Sequence, residues 1–121
     1  MTWNQIAACA LIGLSSWAQA HTVLEYPVAT AGESYKATFK VGHGCGASPT
    51  RQIVVDIPAG VQGAKPMPKA GWRLEVTREA LAKPYTSHGK TVTDDVVEVR
   101  WTAASKEAAL PDEQFDDFAF M

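Results

Sequence analysis

The sequence predicts an all-β domain built as a β-sandwich. Three observations carry that expectation. Several short runs alternate apolar and polar residues with the two-residue period of a half-buried strand. Gly- and Pro-rich turns separate those runs at fairly regular spacing. Beyond residue 20, only Arg78–Leu81 offers a helical turn.

Residues 1–20, MTWNQIAACALIGLSSWAQA, stand apart from that pattern. They have an apolar middle, Ile6 to Leu14, and end in Ala18-Gln19-Ala20. This is the layout of a secretory signal peptide with its cleavage site. The apolar run is shorter than the roughly 20 residues a membrane span needs. The leading MTWNQ has no Lys or Arg, so its only positive charge is the Met1 amine. A buried N-terminal helix is the competing reading, but no amphipathic period supports it. The expected mature chain is therefore a single domain of residues 21–121. It would begin at His21 and work in the periplasm or outside the cell.

The strands follow in order. Residues 21–27 alternate weakly. Tyr35, Ala37, Phe39 and Val41 share one face of a clear strand, with Lys36, Thr38 and Lys40 on the other. Ile53–Ile57 is a β-branched run closed by Pro58-Ala59-Gly60. Trp72–Thr77 alternates again, and so does Val96–Thr102. Turns are expected at Gly42–Pro49, at Gly63–Gly71 and at Ser87-His88-Gly89-Lys90. The chain closes on LPDEQFDDFAFM, which turns from acidic to strand-like at Phe118–Phe120. A strand that stops in mid-pattern predicts either that the domain is incomplete at its C-terminus or that an edge strand is left unpaired. The first is the favoured expectation.

Charge and composition exclude some functions. The formal net charge is −2, and Lys and Arg are scattered with no basic stripe interleaved with aromatics, so nucleic acid is not expected as a partner. No apolar segment of the mature chain is long enough to span a membrane. No Gly-x-Ser-x-Gly elbow and no phosphate-binding Gly loop occur. Of two cysteines, Cys9 lies in the expected signal, which leaves Cys45 as a lone thiol in an oxidising compartment.

Two segments point to metal chemistry. A free N-terminal His21 offers two nitrogens from one residue, the α-amine and the ring Nδ1. Both shed protons readily near neutral pH, with ordinary pKa values of about 7.7–8 and about 6.5. Neutral nitrogen donors suit Cu(II), which heads the Irving–Williams order. The second segment is VGHGCGASPT, residues 41–50, where His43 and Cys45 lie two apart among three glycines. In extended backbone they share a face, and His with thiolate at short spacing is a ligand pattern. The plainer alternatives are a His in a Gly-rich turn and a Cys that forms half of a disulfide.

The stretches AHTVLEYPVATAGESYKATFKVGHGCGASPT, IPAGVQGAKPMPKAGW and RWTAASKEAALPDEQFDDFAF cover nearly all of the mature region in order. In these the chain resembles the YcnI-like copper-binding domain family, long catalogued as a domain of unknown function. The resemblance implies a secreted, cupredoxin-like β-sandwich lacking its last strands here. It implies Cu(II) held at the processed N-terminus by the amine and imidazole of one His, which maps onto His21. Family members look like periplasmic or surface copper-handling proteins, so other copper-handling proteins are expected partners. The second ligand position falls on FKVGHGC and makes His43 the candidate. Cys45 looks like a residue that pairs with a cysteine of a later strand; with none here, a thiolate ligand role stays open. The family also places a Trp beside the metal. Trp101 and Trp72 are the candidates present here, with Trp101 preferred of the two, but the Trp that the resemblance implies is expected in the C-terminal strands this sequence lacks.

The remaining candidates have plain readings. Glu25 and Glu33 are near enough in sequence to supply an oxygen, but surface solvation is the default. His88 reads as a turn residue, and Met67, between two prolines, as part of a rigid loop. Asp112, Glu113, Asp116 and Asp117 read as a solvated acidic loop. The leading expectation is a non-enzymatic copper carrier or metallochaperone in copper homeostasis. Its rivals are a metal-free interaction module and a copper-dependent oxidase or oxygenase that would use His43 as a second brace His.

Overall fold

The computed structural model describes residues 22–42, 44 and 46–121. Six strands form: β1 (Thr22–Leu24), β2 (Ala37–Val41), β3 (Gln52–Asp56), β4 (Trp72–Ser87), β5 (Lys90–Ala103) and β6 (Asp116–Phe120). No helix occurs among the described residues. The strands make two antiparallel three-stranded sheets, ordered β1-β2-β6 and β3-β5-β4. The all-β sandwich expected from the alternation is present.

Alternation explains which faces meet. Ala37, Val41, Phe118 and Phe120 of the first sheet are buried with Ile53, Val99 and Trp101 of the second. Trp101 lies at the centre with no exposed surface. Its ring meets Phe118 edge-on at 5.6 Å, and Trp72 meets the same Phe118 at 5.0 Å. Edge-to-face contacts of this kind place the positive ring edge against the negative face. A buried indole N–H must find an acceptor, and here it donates to the Met67 carbonyl at 2.9 Å.

That bond seats the Lys65–Met67 segment on the free edge of β6. Lys65 N–H donates to the Met121 carbonyl at 2.7 Å, Met67 N–H to Ala119 at 2.8 Å, and Met121 N–H back to Lys65 at 2.9 Å. Pairing with β2 fills the other side, with Phe39 opposite Phe118 and Ala37 opposite Phe120. The notion of an unpaired edge at Phe118–Phe120 is therefore corrected: both sides of β6 are hydrogen-bonded. The two prolines around Met67 suit this place, because a segment bound on one side only has no use for every N–H.

β4 and β5 run well beyond their expected limits. Their pairing extends from Trp72 opposite Ala103 to Ser87 opposite Lys90. The Arg78–Leu81 helical turn is also corrected, since those residues continue β4. Most side chains from Arg78 to Lys90 are exposed, so the arm has no buried face to impose alternation on the sequence. It closes on His88 and Gly89, with φ of 49° and 75°. Positive φ at both residues matches the strand twist of a two-residue hairpin.

A carboxylate latches the arm to the body. Asp95 is buried, at 4 % exposure. It accepts from the Tyr85 hydroxyl at 2.6 Å, from Gly63 N–H at 3.0 Å and from Val96 N–H at 2.8 Å. Burial alone would raise its pKa, but these donors together outweigh burial and hold it below its ordinary 3.8. The same bond to Asp95, aided by desolvation, raises Tyr85 above its ordinary 10.0.

A depressed carboxylate stabilises the fold above its unfolded pKa and loses that contribution as pH falls through the folded value. A raised tyrosine stabilises below its unfolded pKa and loses it as pH rises. Asp95→Ala strands two backbone N–H groups and is expected to cost about 2–3 kcal/mol at neutral pH. In urea titrations Asp95→Asn should flatten the acid limb of the stability profile, and Tyr85→Phe the alkaline limb.

Candidate metal centre

The expected ligands His21, His43 and Cys45 lie outside the described residues. What the structure describes is the frame around them. Thr22 pairs with Val41, and Val41 pairs on its other side with Asp116. One end of the first sheet therefore gathers the start of β1, the end of β2 and the start of β6.

The loop after β2 is held to the segment before β6. Gly44 N–H donates to Asp112 Oδ1 at 3.2 Å. Thr50 and Leu110 exchange both backbone bonds, at 2.8 Å and 2.9 Å. Gly44 has no freedom to be anything larger, because a Cβ there would run into the Ser48 carbonyl. Gly46 has φ of 65°, which a residue with a side chain adopts at a cost. The glycines that the sequence offered as permissive are thus required by close approach at one position and by backbone conformation at another.

Sequence reading left Asp112 in a solvated acidic run; the structure turns it onto the loop. No pattern in the sequence reveals a contact between residues 68 positions apart. Its neighbours differ from it. Asp116 pairs with Lys69 at 2.9 Å and accepts from the Asp117 N–H at 2.8 Å. Lys69 also sits over the Phe118 ring at 4.8 Å. Asp117 Oδ1 is buried and has no hydrogen-bond partner among the described residues.

The other candidates fall elsewhere. Glu25 lies past the end of β1, about 10 Å along the strand direction from Thr22, with its N–H on the Thr38 carbonyl. Its carboxylate faces Lys40 at 3.6 Å. Trp101 is a core side chain whose only ring N–H is taken by Met67, and Trp72 packs on Phe118. Glu33 and His88 are exposed, as the sequence suggested. Met67 is 40 % exposed in the segment that covers β6. Among the described residues no group of three or more His, Cys, Asp or Glu could hold a metal. Of the described carboxylate residues at this end, Asp112 bonds Gly44 and Asp116 pairs with Val41.

Beside this end a groove of about 600 Å³ opens between the sheets. Phe39 and Val41 line it from the first sheet, and Ile53 and Val55 from β3.

Gly44→Ala is expected to destabilise the fold by about 1–3 kcal/mol, since the Ser48 backbone must move to admit the methyl group. Thermal unfolding reads that loss. Backbone NMR should confine the shift changes to the loops near residues 42–50 and 110–114.

Comparisons with curated proteins and with solved structures give no match. Residues 21–121 match the family described as a domain of unknown function, DUF1775. The match spans the sandwich from the residue before β1 to the residue after β6, so this chain belongs to the DUF1775 family.

Proposed function

We propose that this chain is a YcnI-like, secreted copper-binding protein. In this reading it holds Cu(II) through the amine and imidazole of His21 after residues 1–20 are removed. Its task is copper trafficking or homeostasis outside the cytoplasm, without catalysis. The observation that carries the reading is the pairing of Thr22 with Val41. His21 is bonded to Thr22, and His43 follows Val41 by two residues. Covalent continuity therefore starts both ligand-bearing segments from the same end of one sheet. The family match also begins at His21, the residue that cleavage after Ala20 would expose.

The chemistry follows from the donors. An α-amine and an imidazole nitrogen of one residue close a chelate ring only when the amine is free. An uncleaved chain has an amide there, whose nitrogen has no basic lone pair. Signal removal would then create the site. Two or three nitrogen donors at the end of a sheet leave coordination positions open to a partner's ligand. Transfer can then proceed by addition before release, which suits a carrier. Nitrogen and oxygen donors favour Cu(II). Protons compete for both nitrogens, so acid lowers affinity through the ordinary imidazole and amine range, about 6.5 to 8.

Cu(II) titration with electron paramagnetic resonance tests the reading. The chain starting at His21 is expected to bind one equivalent with a nitrogen-rich signal, and the same chain with one extra N-terminal residue is expected to lose it. His21→Ala should abolish tight binding, and His43→Ala should weaken it or change the ligand field. Equal binding with and without the extra residue would refute the amine ligand. An unchanged spectrum in His43→Ala would remove that residue from the set.

A further inference from the structure

We propose that Asp112 is the positioning residue of the copper-ligand loop, its carboxylate pinning the peptide between His43 and Gly44 so that the loop meets Cu(II) already ordered. The role presupposes the copper reading and adds to it a residue outside the ligand set. The contact that carries it is the bond from Gly44 N–H to Asp112 Oδ1 at 3.2 Å. Gly44 is buried, so its N–H needs an acceptor within the protein. A peptide unit is planar. Holding the Gly44 N–H therefore holds the plane through which Gly44 is joined to His43. The same glycine separates His43 from Cys45, so one bond acts at the middle of the candidate donor segment.

The acceptor is itself held in place. Gln114 N–H donates to the Pro111 carbonyl at 3.1 Å, which closes a turn with Asp112 and Glu113 at its centre. Just before that turn, Leu110 exchanges both backbone bonds with Thr50. Just after it, Asp116 lies opposite Val41 in the β2–β6 ladder. Val41 and Thr50 are the two flanks of the glycine loop. The segments 41–50 and 110–116 thus run antiparallel with three rungs between them: Val41 with Asp116, Gly44 with Asp112, and Thr50 with Leu110. Backbone pairing makes the two outer rungs. The inner rung alone is made by a side chain, so a substitution can remove it and leave the frame standing.

Glycine makes the inner rung matter. Gly42, Gly44 and Gly46 all fall between the outer rungs. Glycine loses more backbone freedom on ordering than any other residue. Freedom lost only when the metal binds is subtracted from affinity. A loop pinned at Gly44 has lost much of it on folding, before any metal arrives. Asp116 is poorly placed to take over this task, since its carboxylate is engaged by Lys69 at 2.9 Å.

The chain starting at His21 tests the role with and without copper. In the metal-free chain, nitrogen-15 relaxation should give rigid amides at Gly42 and Gly44. D112A removes the acceptor, and the D112S hydroxyl stops one bond short of it; both should lower those order parameters. D112N keeps an oxygen acceptor and should hold them. In Cu(II) titrations D112A and D112S are expected to bind at least about tenfold more weakly. Their electron paramagnetic resonance signal should spread over more than one species. D112N should recover both the affinity and the single signal, a rescue that general loss of stability does not predict. Circular dichroism matching the parent selects the variants that fold. A parent chain without Cu(II) binding refutes the copper reading and this role with it. A parent that binds copper, beside folded D112A or D112S of equal affinity and spectrum, overturns the positioning role alone. Unchanged order parameters in those variants overturn it too. So does an equal loss in D112N, which would assign the effect to charge.

Discussion

The hydrogen bond from the buried indole of Trp101 to the Met67 carbonyl organises much of this molecule. A large aromatic ring fills the space between two small sheets and supplies their main apolar contact through Phe118. Its one polar atom cannot stay unpaired in that interior, so it fixes a backbone carbonyl of the 65–67 segment. With that segment fixed, β6 has a partner on its outer side. The same ring thus sets the thickness of the core and the closure of one sheet edge.

The two ends of the sandwich are held by different chemistry. At the arm end, Asp95 collects three donors from three parts of the chain and remains ionised despite burial. The proximity of Arg78, which pairs with Asp94 at 3.0 Å, favours the same charge state. At the other end, Asp112 holds Gly44, and Thr50 pairs with Leu110. Most of this second set is backbone bonding. A loop rich in glycine loses much conformational freedom when it is ordered, and several tethers offset that cost. Such an end can present the beginning of β1 and the loop after β2 together, which the proposed copper site requires.

The acidic residues near the C-terminus show how one composition divides into separate roles. Asp112 accepts a loop amide, Asp116 pairs with a lysine, and Asp117 keeps one buried oxygen without a partner among the described residues. Burial and neighbours distinguish them, although they sit within six positions of the chain. The DUF1775 family gives the sandwich a lineage while leaving its chemistry to the residues themselves.

The sequence by itself determined the β class, because a half-buried strand must alternate and Tyr35–Val41, Trp72–Thr77 and Val96–Thr102 do so. It located the hairpin at Ser87–Lys90, since His88 and Gly89 tolerate positive φ. It singled out His21, His43 and Cys45 by their ligand chemistry, a property of residue type that needs no fold. Only the tertiary structure decided where β4 and β5 end, because an arm solvated on both faces leaves no periodic trace. It decided that Trp101 serves the core, that Glu25 turns to Lys40, and that Asp112 grips Gly44. Each of those outcomes depends on contacts between residues distant in the chain. Which donor meets which acceptor there is settled by packing and burial, and a linear pattern of residue types does not encode it.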